Sequence, residues 1–214
     1  MSFGGRAIKE ARAQYLLFRS KDYVGINKPI GLSLSGGKQP CSSVSKLFDS
    51  MGLTGTQPIP VTSMEANVSG VALFSLHQSA GKLARTMIRE GKFWRCKYWG
   101  LVSGRVAGGH TSGIVNVPLE NSVPSPDGVP SITHWRVLRY CDNERLTLVE
   151  FEPRTSVPNQ IQVHCEISLR APLVNKYGLH LHKVSGCLPG GEDLEIVAPP
   201  IGEFRESLGK LGFI

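Results

Sequence analysis

Four groups of residues in this chain have types and spacings that chemistry can use. Glu65 is the acid of the stretch Val61-Thr-Ser-Met-Glu-Ala-Asn-Val-Ser-Gly70. A loop carboxylate can act as nucleophile or general base, although a lone glutamate is more often a solvated surface acid. His180 and His182 form a His-x-His pair, which puts both rings on one face of a strand; with His164 and Cys187 they are the ligand types of a metal site. Gly36-Gly37-Lys38 has the residue types of a phosphate loop but neither its spacing nor its helix start. Lys82, Arg85, Arg89, Lys92, Arg95 and Lys97 place six positive charges within sixteen residues, opposed by Glu90 alone. Phe93, Trp94, Tyr98 and Trp99 are interleaved with them. Cations neutralise phosphates and rings stack on bases, so this run predicts an RNA-contacting patch rather than an ordinary solvated helix face.

Hydrophobic periodicity supplies the elements that would carry these residues. Asp22–Lys28 reads as a strand that ends at Pro29-Ile-Gly31, a turn. Ser33–Gln39 is rich in Gly and Ser and reads as a mobile loop. Ser42–Met51 has Val44, Leu47, Phe48 and Met51 at helical spacing behind a Ser cap. Val71–Leu76 is a short apolar strand, and Ser79–Glu90 a helix with Leu83, Met87 and Ile88 on one face. Phe93–Ser103 reads as a strand. Gly108–Ser131, with Pro118, Pro124, Pro126 and Pro130, is predicted to be irregular with one short strand at Ile114–Val117. Thr133–Tyr140 and Arg145–Glu152 form two strands around a turn at Asp142-Asn143. Gln160–Leu169 satisfies a helical and a strand period about equally. Gly178–Val184 and Leu194–Val197 are strands around Pro189–Gly191, and Phe204–Leu211 is a terminal amphipathic helix. The pattern is α+β, with neither an internal repeat nor a linker that splits the chain.

The 214 residues are enough for a buried core, and 41% hydrophobic with 19% charged residues is globular rather than disordered. The formal net charge of +7 points to an anionic partner. No apolar run approaches the roughly 20 residues of a membrane span, so no membrane partner is expected. The five cysteines are odd in number, scattered and free of C-x-x-C pairs. That argues against a disulfide framework and a Cys-rich zinc site, and for a reducing compartment. Met1–Ser20 carries Arg6, Lys9, Arg12 and Arg19 against Glu10. This composition fits a mitochondrial targeting segment, a short basic first helix or an RNA-contacting arm. The expected division is therefore a basic segment over 1–21 and a domain over 22–214.

Several segments, in order, resemble the RluA-type RNA pseudouridine synthases. Asn27-Lys-Pro-Ile-Gly31 is similar to the N-K-P-x-G that closes that family's first strand. In Val61–Gly70, Ser69-Gly70 match the end of H-R-L-D-x-x-T-S-G; Thr62 then falls on its His, Ser63 on its Arg and Glu65 on its catalytic Asp. Tyr98-Trp-Gly-Leu-Val-Ser-Gly104 resembles Y-x-A-x-V-x-G, whose tyrosine lines the uracil pocket. Thr155–His164 is similar to T-G-R-T-H-Q-I-R-V-H. Tyr177-Gly178, Leu179-His-Leu-His182 and Ala198-Pro-Pro200 match the family's closing elements. The resemblance implies a mixed, mainly antiparallel sheet with flanking helices, and a central cleft where Glu65 meets Tyr98, with Asn27, Lys28, Asn159 and Gln160 around the pocket. It implies RNA as partner, ribosomal RNA foremost, with ribosomal or assembly proteins beside it. It implies no cofactor and no metal, the His-x-His segment being structural in relatives.

The departures fall on the charge machinery. Glu65 keeps a carboxylate but moves it by about 1.5 Å, and a misplacement of that size can cost on the order of a hundredfold in rate. Val157 and Gln162 stand where relatives have two arginines, one of which normally pairs with the catalytic carboxylate. Ser63 replaces the guanidinium that occupies the space a flipped base vacates. Cys96 replaces a lysine, while Tyr98 is retained. The expectation is an RNA-binding, catalytically degenerate member acting in ribosome assembly, mitochondrial in setting. Its alternatives are an active synthase using Glu65 and a protein-interaction module that keeps only the fold.

Overall fold

The structure is a computed structural model and describes residues 5–34, 42–53, 58–89, 94–174 and 178–214. Along the chain the elements are α1 (Gly5–Tyr15), β1 (Leu16–Arg19), β2 (Tyr23–Lys28), α2 (Ser42–Ser50), β3 (Ile59–Pro60), β4 (Val68–Ser75) and α3 (Gln78–Arg89). There follow β5 (Arg95–Ser103), β6 (Ser112–Asn116), β7 (Leu119–Glu120), β8 (Val123–Pro124), β9 (Ile132–Cys141) and β10 (Leu146–Pro153). Last come α4 (Gln160–His164) with a π-helical turn at Cys165–Leu169, then β11 (Leu179–Cys187), β12 (Asp193–Val197) and α5 (Gly202–Lys210). The chain forms two compact units, Met1–Trp94 with Lys183–Ile201, and Arg95–His182 with Gly202–Ile214.

In the first unit, β2 pairs on one side with β1 and on the other with β4, which also carries β3. β2 and β4 are buried along their whole length, so both read as near-continuous apolar runs rather than as alternating strands. Val24, Ile26, Ala72 and Phe74 form a core with Val44, Phe48 and Met51 of the α2 segment. Lys183–Cys187 of β11 pairs with β12. Gly25 allows a close approach here: a Cβ would lie 2.9 Å from Ile196 and 3.2 Å from Phe18. The N-terminal segment is built in, since β1 joins the sheet and Ala11, Tyr15 and Leu16 pack on the core.

In the second unit the strands run β5-β10-β9-β6. One face packs Val102, Val149, Phe151 and Trp135 against Ile161, Cys165 and Leu169. The other packs Leu101 and Leu148 against Phe204 and Leu208 of α5. The pairings within each unit are antiparallel. The expected α+β class, a mainly antiparallel sheet with flanking helices, is what the structure has.

Three local readings are decided by packing. Gln160–Leu169 is helical because Ile161, Cys165 and Leu169, four apart, are buried, whereas Ile167 is 39% exposed; a strand would have buried it with the others. Leu83, expected on the apolar face of α3, is 57% exposed. The buried stripe runs instead through Gly81 and Ala84, because Gly81 is seated against Ser75 of β4 and sets the helix's rotation. The 108–131 stretch holds the expected short strand as β6 and, in addition, the small β7–β8 pair. The loop read at Ser33–Gln39 falls largely outside the described residues.

Candidate functional site

Glu65 sits in a loop of the first unit that is tied at both ends. Upstream, Thr62 is buried and its Oγ1 accepts from the Leu73 amide at 3.0 Å, while Val61 N donates to Leu73 O at 2.8 Å. Downstream, the Ala66 carbonyl accepts from Gly31 N at 2.8 Å and from Lys28 Nζ at 3.3 Å. The Lys28 ammonium also donates to Leu32 O at 2.9 Å and to Pro29 O at 3.3 Å. A fully buried lysine is costly unless oxygens surround it, and three carbonyls do so here. Burial pushes its pKa down to about 8, so the group stays charged at neutral pH. Gly31 and Gly70 have φ of 84° and 108°, backbone that a Cβ would strain. Between these fixed flanks Glu65 is exposed, and among the described residues its carboxylate has no ion-pair partner. Ser63 is exposed beside it.

Asn27 and Lys28, expected to line a pocket, are interior supports. Asn27 is fully buried, its Nδ2 donates to Pro199 O at 2.8 Å, and its Oδ1 lacks a partner among the described residues.

The other residues that the sequence nominates lie in the second unit. Tyr98 is half-buried on β5 opposite Phe151 and packs on that unit's core. Asn159 is exposed in the left-handed region (φ 56°, ψ 14°), and its Nδ2 donates to Ser122 Oγ at 3.1 Å. Gln160 is buried and uses both ends of its amide. Oε1 accepts from Thr155 Oγ1 at 3.0 Å and from Val157 N at 3.2 Å; Nε2 donates to Ile132 O and to Thr133 Oγ1, each at 2.9 Å. The relay continues from Thr133 Oγ1 to His164 Nδ1 at 2.9 Å and from His164 Nε2 to Val117 O at 3.4 Å. With Nε2–H donating to the carbonyl, Nδ1 accepts from the threonine, and burial holds the ring's pKa below its ordinary value. Gln160 thus locks the Thr155–Gln160 loop to β9. Sequence alone offered no sign of Thr133, which lies 31 positions from His164.

At the two positions where the resemblance expects arginine, Val157 contributes only its amide to Gln160, and the exposed Gln162 reaches Glu166 Oε1 at 3.5 Å. Neither side chain supplies a cation.

The basic residues divide between the units. Lys82 and Arg85 are exposed on α3, and Arg85 Nη1 donates to Pro60 O at 3.1 Å. Arg89 ends that helix, with its side chain outside the described residues, as is Lys92. Arg95 is exposed on β5, while Lys97 lies 3.5 Å from Glu150, which Arg136 also approaches at 3.0 Å. Among the members whose side chains are described, Lys97 is therefore the one whose charge is most offset.

The histidines serve packing. His182 stacks on Trp99 with centroids 3.8 Å apart, and His180 on Phe204 at 5.3 Å. Among the described residues no group of three His, Cys, Asp or Glu side chains is placed to hold a metal. Burial pushes the Cys96 thiol up to about 12, so the residue at the position of the family's lysine is a neutral side chain. No helix among the described residues is long and apolar enough to cross a membrane.

Comparison with known proteins agrees with this arrangement. Residues 22–167 match the family model described as RNA pseudouridylate synthase. The chain is 26% identical over 179 residues to the ribosomal large subunit pseudouridine synthase C of Rickettsia conorii, covering 79% of this chain and 58% of that protein. It thus spans under two thirds of that relative's length. It is 26% identical over 222 residues to the uncharacterized RNA pseudouridine synthase YhcT of Bacillus subtilis, covering 92% and 72% respectively. The solved structure of human RNA Pseudouridylate Synthase Domain Containing 4 shares the fold, with a TM-score of 0.75 at 19% identity over 97% of each chain.

Proposed function

The chain belongs to the RNA pseudouridylate synthase family, and on that premise we propose that it binds structured RNA and makes little or no pseudouridine by itself. Ribosomal RNA is the proposed ligand, and assembly of a ribosome, mitochondrial in setting, the proposed role. Uridine isomerisation in this family needs a carboxylate held against a flipped base with a cation to orient it. The observation that carries the reading is the state of Glu65: exposed, one methylene longer than aspartate, and without a cation paired to it among the described residues. The positions where the resemblance expects arginine hold Val157 and Gln162, which fits the same conclusion. Each unit keeps its own scaffold: the Lys28 brace under the Glu65 loop in the first, and the Gln160 lock and the Tyr98 ring in the second.

The exposed cations of α3 and β5 support the binding half of the proposal, because phosphate neutralisation needs exposed rather than paired charge. The experiment is pseudouridine mapping in RNA from cells carrying wild type or Glu65→Ala, run beside crosslinking of the protein to RNA. The expected result is crosslinked RNA and an unchanged pseudouridine map. A pseudouridine site that disappears in the Glu65→Ala cells would make the protein an active synthase and overturn the catalytic half; absence of crosslinked RNA would overturn the binding half.

A further inference from the structure

On the face of the second unit covered by α5 there is a cleft of about 250 Å³ that the proposed RNA-facing residues do not use. Its floor is apolar: Leu101 of β5, Leu146 of β10, Val174, and Phe204 and Leu211 of the α5 segment. The floor is held on both sides of Leu101. Val174 N donates to Leu101 O at 2.8 Å and Leu101 N to Gly178 O at 2.9 Å. A Cβ at Gly178 would lie 2.6 Å from Val174 O, and glycine is what lets these strands close.

The rim has a definite charge. Glu144 at the β9–β10 turn and Glu203 at the start of α5 are exposed; among the described residues Lys210, at the end of α5, is the only cation in the lining. In a chain of net charge +7, the described lining thus holds two carboxylates against one ammonium around an apolar floor. Phosphate is disfavoured there by like charge, which separates the cleft from the basic surface. Its volume lies below the roughly 300–1,000 Å³ of small-molecule sites. It is instead of the size that takes one large side chain, the way a desolvated anchor residue seats at the centre of a protein interface.

We propose that this cleft docks a segment of a basic protein, which inserts one large apolar side chain against Leu101, Val174 and Phe204 and sets flanking cations beside Glu144 and Glu203. The proposal is independent of the catalytic status of Glu65 and of RNA binding by α3.

The probe is a fluorescein-labelled peptide, Arg-Trp-Arg with blocked ends, titrated with the full chain and read by anisotropy, with Glu-Trp-Glu as its control. The cationic peptide is expected to bind at least about tenfold more tightly than the acidic one, as rim charge selects partners. Glu144→Lys with Glu203→Lys should abolish that preference. Both residues are exposed, so an unchanged melting temperature checks that the fold survives. Ser207→Trp, which fills the cleft from α5, should reduce binding of the cationic peptide. Equal binding of both peptides, no binding of either, or a preference that persists in the double Glu→Lys variant would overturn the proposal. Displacement of the peptide by oligouridylate would assign the cleft to nucleic acid and would overturn it as well.

Discussion

The Lys28 ammonium donates to the carbonyl of Ala66 at 3.3 Å, one residue beyond Glu65. The same carbonyl takes the Gly31 amide, so the end of β2 and the turn after it define where the Glu65 loop descends. The loop's conformation is thereby held from beneath by a charge that itself never reaches solvent.

Replacing Lys28 by Met keeps the volume and removes three charge-assisted hydrogen bonds, to the carbonyls of Pro29, Leu32 and Ala66, of which Ala66 keeps only the Gly31 amide. The variant should be destabilised by on the order of 2–3 kcal/mol, and amides of residues 62–68 should exchange faster with solvent. Hydrogen exchange of wild type and variant checks both. Unchanged protection across the loop would mean that the Thr62–Leu73 hydrogen bond suffices to hold it.

Changing Lys82, Arg85 and Arg95 together to Ala removes three exposed cations. RNA affinity should fall alike for all sequences, and the slope of log affinity against log salt should flatten by about one for each phosphate no longer neutralised. Filter binding over a salt series measures this. A second triple variant that includes Lys97 in place of Arg95 should flatten the slope less, because Glu150 already offsets Lys97.

His164 gives the second unit an acid sensitivity. Burial holds its pKa below the ordinary 6.5. The unfolded chain therefore binds the proton more readily than the folded one, and stability is lost as pH falls from about 6.5 towards the lowered folded value. Well above pH 6.5 the ring is neutral in both states and contributes no slope. Denaturation midpoints across pH 4.5 to 8 should show this loss in wild type and a shallower one in His164→Gln, whose amide can keep partners at Thr133 and Val117.

Arg12 Nε donates to Met51 O at 2.6 Å, next to Gly52, whose φ of 68° closes the α2 segment. A cation at a helix C-terminus satisfies an orphan carbonyl and meets the negative end of the dipole. Arg12→Ala should cost about 1 kcal/mol, and deletion of residues 5–15 considerably more, since Ala11 and Tyr15 leave the core with it. Thermal melts of both variants test this. A deletion variant that melts with wild type would show that α1 is dispensable to the fold, as a targeting segment or free arm would be.

The sequence by itself determined the class of the fold and the order of its parts. Tyr23–Lys28, Ile132–Cys141, Leu146–Pro153 and Gly202–Lys210 are legible because their periods and turn residues are local properties of the chain. The sequence offers the candidate site residues as positions in register: Glu65, Val157 and Gln162 are conspicuous only against Ser69-Gly70 and His164, because motif spacing survives where residue types change. Tertiary structure decided what several of those residues do. Lys28 and Gln160 are polar types that a sequence reading sends to a pocket wall. They are interior braces because carbonyls and hydroxyls far away in sequence, at Ala66, Ile132 and Thr133, converge on them. The helix at Gln160–Leu169 was likewise undecided by period and is settled by which of its apolar residues meet the core. The acid-rimmed cleft joins Glu144 to Glu203, 59 positions apart. Such pairings arise only when strands and helices close on one another, and no local pattern in the chain encodes them.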